Sequence, residues 1–112
     1  MNYEVPEEYE FIYEGFGISD SYDHDEGIIS YVFLYENSTE LTFTHSPCMG
    51  QYINVRCQKG EELVFDFHQS GVKSINFGGW KGESTVDVLF KDNTEVKIFY
   101  KPKPRLVFRN ED

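Results

Sequence analysis

Short segments in which apolar and polar residues alternate recur along the whole chain, and clusters of turn-forming residues separate them. Residues 52–58 alternate cleanly, which places Ile53 and Cys57 on the same, inward face of a strand. Residues 85–90 and 95–100 flank a short polar turn and predict a hairpin. The whole pattern predicts eight or nine short strands, spaced by roughly 10–12 residues, as in an antiparallel β-sandwich or a partly open barrel.

Three segments with less regular patterns complete this prediction. Residues 9–14 alternate between aromatic and acidic side chains, which predicts another strand. Residues 28–35 are apolar on both faces and predict a central strand that is covered on both sides. Residues 78–82 are rich in glycine and predict a loop, in which Trp80 is either a core plug or an exposed anchor. No stretch keeps a helical period, so no helix is predicted.

The length of 112 residues fits a single β domain that spans residues 1–112. The N-terminus is acidic and lacks the basic start and apolar segment of a signal peptide, and no apolar run is long enough for a membrane helix. A secreted domain of this size would usually carry more than two cysteines. These features predict a cytoplasmic protein with free thiols, with a disulfide between Cys48 and Cys57 as the alternative.

Charge is distributed unevenly along the chain. Residues 1–55 contain eleven acidic residues and no Lys or Arg, whereas residues 56–112 contain ten basic and nine acidic residues. The net charge of −10 therefore originates in the first half. A field of this sign repels phosphate backbones and accelerates the encounter with a basic protein. The sequence predicts a basic protein partner and no binding to nucleic acid.

Catalytic and metal-binding patterns are weak. The three histidines lie in an expected loop (His24), a turn (His45) and the solvent face of a strand (His68), and their spacing brings no two of them together. A zinc site could be assembled from two histidines and both cysteines, namely His45, Cys48, Cys57 and His68. Against it, Cys57 falls on an apolar strand face, where a buried thiol is ordinary. Because nucleophile and phosphate-loop motifs are also missing, the sequence predicts no enzyme, no metal and no other cofactor.

Residues 20–26, here called the acidic loop, carry four carboxylates around one tyrosine. Three interpretations are open: a solvated loop, a site for a hard cation such as Ca²⁺, and a protein-recognition loop with Tyr22 as an amphipathic anchor. The spacing of the acids does not match an EF-hand. Acidic residues of the N-terminal segment, expected on a charged edge strand, extend the same negative field. The predicted partner-binding residues are Asp20, Tyr22, Asp23, Asp25, Glu26, Glu10 and Glu14.

The late basic residues form a cluster near the C-terminus: Lys97, Lys101, Lys103, Arg105 and Arg109. A nucleic-acid site is opposed by the net charge of −10. We therefore expect these cations to balance the acidic first half or to add solubility. If they were interleaved with the early carboxylates in the folded chain, the case for a basic partner would fail.

In size, acidity, strand content, acidic loop and lack of a catalytic motif, the chain resembles the small acidic immunity proteins of bacterial contact-dependent growth inhibition and related toxin systems. These proteins neutralise a cognate toxin, often a nuclease, inside the cell that produces it. The resemblance implies a monomer that binds a basic toxin in a one-to-one complex, through carboxylates that take the place of phosphates. It rests on overall character, because such proteins share no common motif.

Two other functions fit the same sequence. One is a lectin-like β-sandwich that binds a ligand, with Ca²⁺ held by Asp20, Asp23, Asp25 and Glu26 and with Trp80 as an aromatic platform. Stabilisation by calcium would favour it. The other is a small barrel enzyme that uses His and Tyr side chains, which a cluster of histidines in one cavity would favour.

Overall fold

The computed structural model describes residues 4–46 and 51–110 and consists mainly of β-strands. Within these residues lie a short helix, α1 (Glu8–Tyr13), and nine strands. The strands are β1 (Gly17–Ile18), β2 (Ile29–Leu34), β3 (Thr39–Ser46), β4 (Tyr52–Lys59), β5 (Glu62–Gln69), β6 (Val72–Trp80), β7 (Glu83–Phe90), β8 (Thr94–Lys101) and β9 (Arg105–Asn110). The prediction of an all-β chain with eight or nine short antiparallel strands is confirmed.

The strands form two antiparallel sheets, in which each strand pairs with its neighbours in the sequence. One sheet has the order β1-β2-β3-β4-β5 and the other the order β6-β7-β8-β9, and neither closes into a barrel. The chain divides into two compact units, one of Glu7–Ser70 and one of Gly71–Asp112 together with Met1–Pro6. That residues 1–112 act as one domain stays a prediction. No helix in the described part of the chain has the length and apolarity needed to span a bilayer.

Strands β3 and β4 supply the best-buried face of the five-stranded sheet. Leu41 lies opposite Cys57, and both side chains are fully buried, as is Ile53 further along β4. Complete burial of an aliphatic side chain stabilises the fold by roughly 1.5–3 kcal/mol. The predicted inward face of β4 is therefore confirmed. Cys57 is a free thiol, whereas Cys48 lies outside the described residues.

The predicted central strand corresponds to β2, which pairs with β1 on one side and β3 on the other. Its middle residues Ser30 and Tyr31 are buried, but Leu34 at its end is 65 % exposed. The hydroxyl groups of Ser30 and Thr44 share a buried hydrogen bond of 2.8 Å across the strand pair. The strand is thus covered on both faces only near its centre.

The prediction of a strand over residues 9–14 is wrong, because this segment forms α1. Phe11 is fully buried and stacks on Tyr31 with ring centroids 4.1 Å apart. Tyr9 and Tyr13, which a strand would place beside Phe11, are 71 % and 87 % exposed. The aromatic alternation therefore does not mark one buried face, and the expected charged edge strand at this position does not exist.

Hydrogen bonds at the C-terminal end of α1 explain why the helix ends at Tyr13. The amide of Gly15 donates to the carbonyl of Ile12, and the amide of Phe16 donates to the carbonyl of Phe11. This pair of bonds is a Schellman motif, which needs a residue with positive φ at the position of Gly15, and φ there is 110°. The Phe11 and Phe16 rings meet edge to face at 5.6 Å, which supplies the apolar contact that accompanies the motif.

The four-stranded sheet contains the predicted hairpin, formed by β7 and β8. The prediction of a loop over residues 78–82 is wrong for residues 78–80, since β6 continues to Trp80, which pairs with Glu83 of β7. A glycine is needed at position 78 because the carboxylate of Asp87 occupies the space that a side chain would take, and a Cβ atom at Gly79 would lie 3.1 Å from the carbonyl oxygen of Glu83. Trp80 is 47 % exposed, so it is a surface side chain and no core plug.

Candidate functional site

The acidic loop is ordered by hydrogen bonds of its own backbone. Asp23 and Ile28 exchange two amide-to-carbonyl bonds of 2.8 Å, and the amide of Glu26 donates to the Asp23 carboxylate at 3.2 Å. Gly27 closes the turn with φ at 72°. The loop is therefore part of the connection between β1 and β2, in which residues 23–28 form a hydrogen-bonded turn.

The carboxylates of this turn lie at the surface. Asp20, Asp23, Asp25 and Glu26 are all exposed. None of the four forms an ion pair with a Lys or Arg of residues 4–46 and 51–110. The turn thus holds four negative charges together without a neighbouring cation in the described structure.

Tyr22 is half-buried and joins the acidic loop to α1. Its hydroxyl donates a hydrogen bond of 3.1 Å to a carboxylate oxygen of Glu8. Burial, and then this hydrogen bond, raise the pKa of Tyr22 above its ordinary value. The sequence did not indicate this link, because the two residues are fourteen positions apart.

Glu10 and Glu14 occupy structural positions in α1. The Glu10 carboxylate accepts a hydrogen bond of 2.8 Å from the amide of Glu7, the residue that caps the helix. Glu14 is the C-cap residue, and both Glu10 and Glu14 are half-buried. Negative charge near a helix N-terminus is favourable, so Glu8 and Glu10 also stabilise the first turn. The structure therefore assigns helix-capping positions to two residues that the sequence predicted as partner-binding.

A polar groove of about 350 Å³ lies along the face of β2, β3 and β4 and reaches the acidic loop at Asp20 and Ser21. The strands contribute alternate side chains to it, among them Glu40, Thr42 and Arg56. This is the face opposite the buried one, as the alternation of these strands requires. The groove was not predicted from the sequence, although the polar positions of β3 and β4 alternate and so indicated an outward face.

One arginine of this groove is already paired. The guanidinium of Arg56 lies 3.2 Å from a carboxylate oxygen of Asp66, and the Asn54 side-chain amide donates to the other oxygen at 2.9 Å. Arg56 is half-exposed, so this pair contributes little to stability. Asp66 therefore neutralises Arg56, and this cation does not neutralise the acidic loop.

Three basic residues near the C-terminus form ion pairs with acidic residues of the four-stranded sheet. Lys97 lies 3.0 Å from Asp87, and Arg105 lies 3.1 Å from Glu83. Arg109 and Glu95 approach to 3.7 Å. The expectation that these three cations balance the acidic first half is therefore wrong, because each of them pairs with an acid of the four-stranded sheet.

The histidines do not form a cluster. His24 and His68 are exposed, while His45 is buried within β3 and not in a turn as expected. Burial lowers the pKa of His45 to about 4, so it is neutral at physiological pH.

The positions of His45 and His68 relative to β4 are incompatible with the alternative zinc site. His45 lies opposite Ile53 and His68 lies opposite Asn54, so the two imidazoles are on different faces of the sheet. Cys48 lies outside the described residues. Within residues 4–46 and 51–110, no group of three His, Cys, Asp or Glu side chains is placed to hold a metal ion, and this includes the acidic loop.

The chain is similar in structure to a chain of the contact-dependent growth inhibition toxin–immunity protein complex from Klebsiella pneumoniae 342. The TM-score is 0.76, and the match covers 96 % of this chain and 97 % of that chain at 16 % sequence identity. No protein-family model and no curated protein sequence matches the chain. The expected resemblance to proteins of these systems is thus confirmed at the level of the fold.

Proposed function

We propose that this chain is an immunity protein that binds and neutralises a cognate toxin of a contact-dependent growth inhibition system. The fold supports the proposal, because it matches, over nearly its full length, a chain of a complex made of such a toxin and its immunity protein. The observation that carries it is the acidic loop, where four exposed carboxylates lie together on an ordered turn. A binding protein with this surface suits a basic target.

Of the two roles in such a complex, the inhibitor fits this chain better than the toxin. The described residues hold no cluster of three titratable side chains placed for metal-assisted chemistry, and the histidines are apart. A toxin that acts on nucleic acid needs cations along its binding surface. Here the net charge is −10, and three late cations are paired with carboxylates of the same sheet.

We further propose that the toxin is a nuclease and that the acidic loop covers its basic groove. Carboxylates can replace the phosphates of a nucleic acid as acceptors for Arg and Lys, and a desolvated pair of this kind can be a hot spot of an interface. The polar groove next to Asp20 would accept side chains at the rim of the contact. In this proposal the complex is one-to-one, and it forms in the cytoplasm.

The test compares two charge reversals that change the net charge equally. Asp23→Lys with Asp25→Lys alters the acidic loop, and Glu61→Lys with Glu62→Lys alters the exposed end of the β4–β5 hairpin. The proteins are used to capture partners from the native cell. We expect the wild type and the hairpin variant to retain a basic protein. The loop variant is expected to lose at least about 100-fold in affinity, because removal of one partner of a buried charge pair costs about 2–5 kcal/mol.

Growth of cells that express the captured protein supplies the functional readout. Co-expression of the wild type and of the hairpin variant is expected to restore growth, and co-expression of the loop variant is not. Unfolding curves of both variants confirm that the fold is intact. Growth protection by the loop variant at wild-type level would show that the acidic loop is not the binding site. A captured protein that does not impair growth would contradict the inhibitor role itself.

A further inference from the structure

A second concave site lies on the four-stranded sheet. Its cavity has a volume of about 330 Å³, near the lower end for sites that bind small molecules. The lining consists of three cationic and three apolar side chains, namely Lys97, Arg105, Arg109, Trp80, Phe99 and Val107. Within residues 4–46 and 51–110, no acidic side chain is among the lining residues. Each lining cation is paired with an acid that is not itself among the lining residues, Asp87, Glu83 or Glu95, so the cavity presents the remaining donors of these cations beside an aromatic surface.

The pairing of β8 with β9 builds one wall of this cavity. Phe99 lies opposite Arg105, and the guanidinium carbon of Arg105 is 3.8 Å from the centroid of the Phe99 ring. At this distance the cation stacks on the ring face, which holds the guanidinium flat. Glu83 binds the same guanidinium at 3.1 Å. Arg105 is therefore held in place before any ligand arrives, and most of its five N–H donors are still available.

The second wall depends on Lys97, which is 8 % exposed and lies opposite Val107. Its ammonium donates to Asp87 at 3.0 Å, and the hydroxyl of Thr85 donates to the other oxygen of Asp87 at 2.7 Å. One of the three donors of the ammonium is used in this way. The Asp87 carboxylate fits because Gly78 on the neighbouring strand has no side chain.

From this arrangement we propose that the cavity binds a planar aromatic carboxylate. The carboxylate matches the lining cations, and Arg105 offers it a pair of parallel donors. The ring of the ligand lies against Trp80, which is 47 % exposed. The site belongs to a different unit of the chain from the acidic loop, so the proposal is independent of the inhibitor role.

Trp80 is the single tryptophan of the chain, so its indole N–H resonance reports on the cavity alone. Benzoate, benzamide and acetate are titrated separately at constant ionic strength. We expect a saturable shift with benzoate and an affinity at least tenfold lower for benzamide and for acetate, because one lacks the charge and the other lacks the ring. Equal responses to benzoate and benzamide would overturn the proposal.

A variant and a matched control locate the binding. Arg105→Gln removes the stacked cation, and Lys103→Gln removes the same charge from the exposed segment two residues earlier, outside the cavity lining. We expect benzoate to bind at least tenfold more weakly to Arg105→Gln and with wild-type affinity to Lys103→Gln. Loss of affinity in both variants, or in neither, would overturn the assignment to this cavity. Arg105 is 45 % exposed, so its replacement leaves the fold intact, which unfolding curves check.

An aromatic ring with a carboxylate can belong to a free metabolite or to the C-terminus of a protein that ends in an aromatic residue. N-acetylphenylalanine and its amide separate these sources. Tighter binding of N-acetylphenylalanine than of benzoate assigns the site to a chain terminus, and the reverse order assigns it to a free aromatic acid. Either order supports the proposal if the neutral amide binds at least tenfold more weakly, and an amide that binds equally well contradicts it.

Discussion

The hydroxyl of Tyr22 donates a hydrogen bond of 3.1 Å to the carboxylate of Glu8, which connects the acidic loop to the first turn of α1. Through this bond the short helix supports the loop that carries the proposed binding site. Tyr22, predicted as an anchor for a partner, therefore has an intramolecular role as well. Any partner that binds the phenol competes with Glu8 for its proton.

The link can be tested by titrating Tyr22. Burial and, next, the hydrogen bond to Glu8 hold the pKa of Tyr22 above its ordinary value, so Glu8→Gln is expected to lower it. NMR of ¹³C-labelled tyrosine follows the phenol during the titration. Glu36→Gln, at an exposed position of the β2–β3 turn, is the control and is expected to leave the pKa unchanged. A Tyr22 pKa that Glu8→Gln does not alter would mean that the bond is not formed in solution.

The strands were predictable where one face is buried and the other is exposed to solvent. In β4 every second residue from Ile53 to Cys57 is buried, so the period of two is visible in the sequence. The helix was not predictable in this way, because only Phe11 of its six residues is buried and a helix this short shows no period. Its capping signals, Glu10 near the start and Gly15 after the end, were the available indications.

The two candidate sites also differ in whether they could be predicted from the sequence. The acidic loop could be found from the sequence, because its charges are contiguous and charged runs lie at the surface. The aromatic cavity could not, because it joins Trp80 to Arg105 and depends on the pairing of four strands. The role of Gly78 depends on a side chain nine positions away, whereas a sequence pattern reports glycine only as a break.

The conformation of Gly15 supplies a stability prediction. Its φ of 110° is unfavourable for a residue with a side chain, and a Cβ atom would come within 3.0 Å of the Phe33 ring. We expect Gly15→Ala to lower the free energy of unfolding by roughly 1–2 kcal/mol. Urea unfolding measures the change. Gly60→Ala, also at positive φ but with open space around it, is expected to cost less, and an equal cost would show that the Phe33 contact is unimportant.

His45 predicts a loss of stability in acid. Its pKa is about 4 in the folded chain and 6.5 as the unperturbed value, so between these pH values the unfolded chain binds a proton that the folded chain does not. The free energy of unfolding therefore falls as the pH drops from 6.5 towards 4, by an amount on the order of 3 kcal/mol from this residue.

The measurement is urea unfolding at about pH 7 and about pH 4.5, compared between variants. His45→Gln cannot take up the proton, so its stability is expected to depend less on pH than that of the wild type, whatever its stability at neutral pH. His68→Gln, on an exposed position of β5, serves as the control and is expected to keep the wild-type dependence. An undiminished pH dependence in His45→Gln would exclude this residue as the source of acid sensitivity.

The ion pair of Lys97 and Asp87 gives a further stability prediction. Their side chains are 10 % and 19 % exposed, so removal of one partner leaves a poorly solvated charge. Lys97→Met is expected to lower the free energy of unfolding by roughly 3 kcal/mol, and the double variant with Asp87→Leu is expected to recover most of it. The half-exposed pair of Arg109 and Glu95 is the comparison, and Arg109→Gln is expected to cost less than about 1 kcal/mol. Urea unfolding of the single and double variants measures the coupling, and additive losses in the double variant would show that the two charges do not interact across β7 and β8.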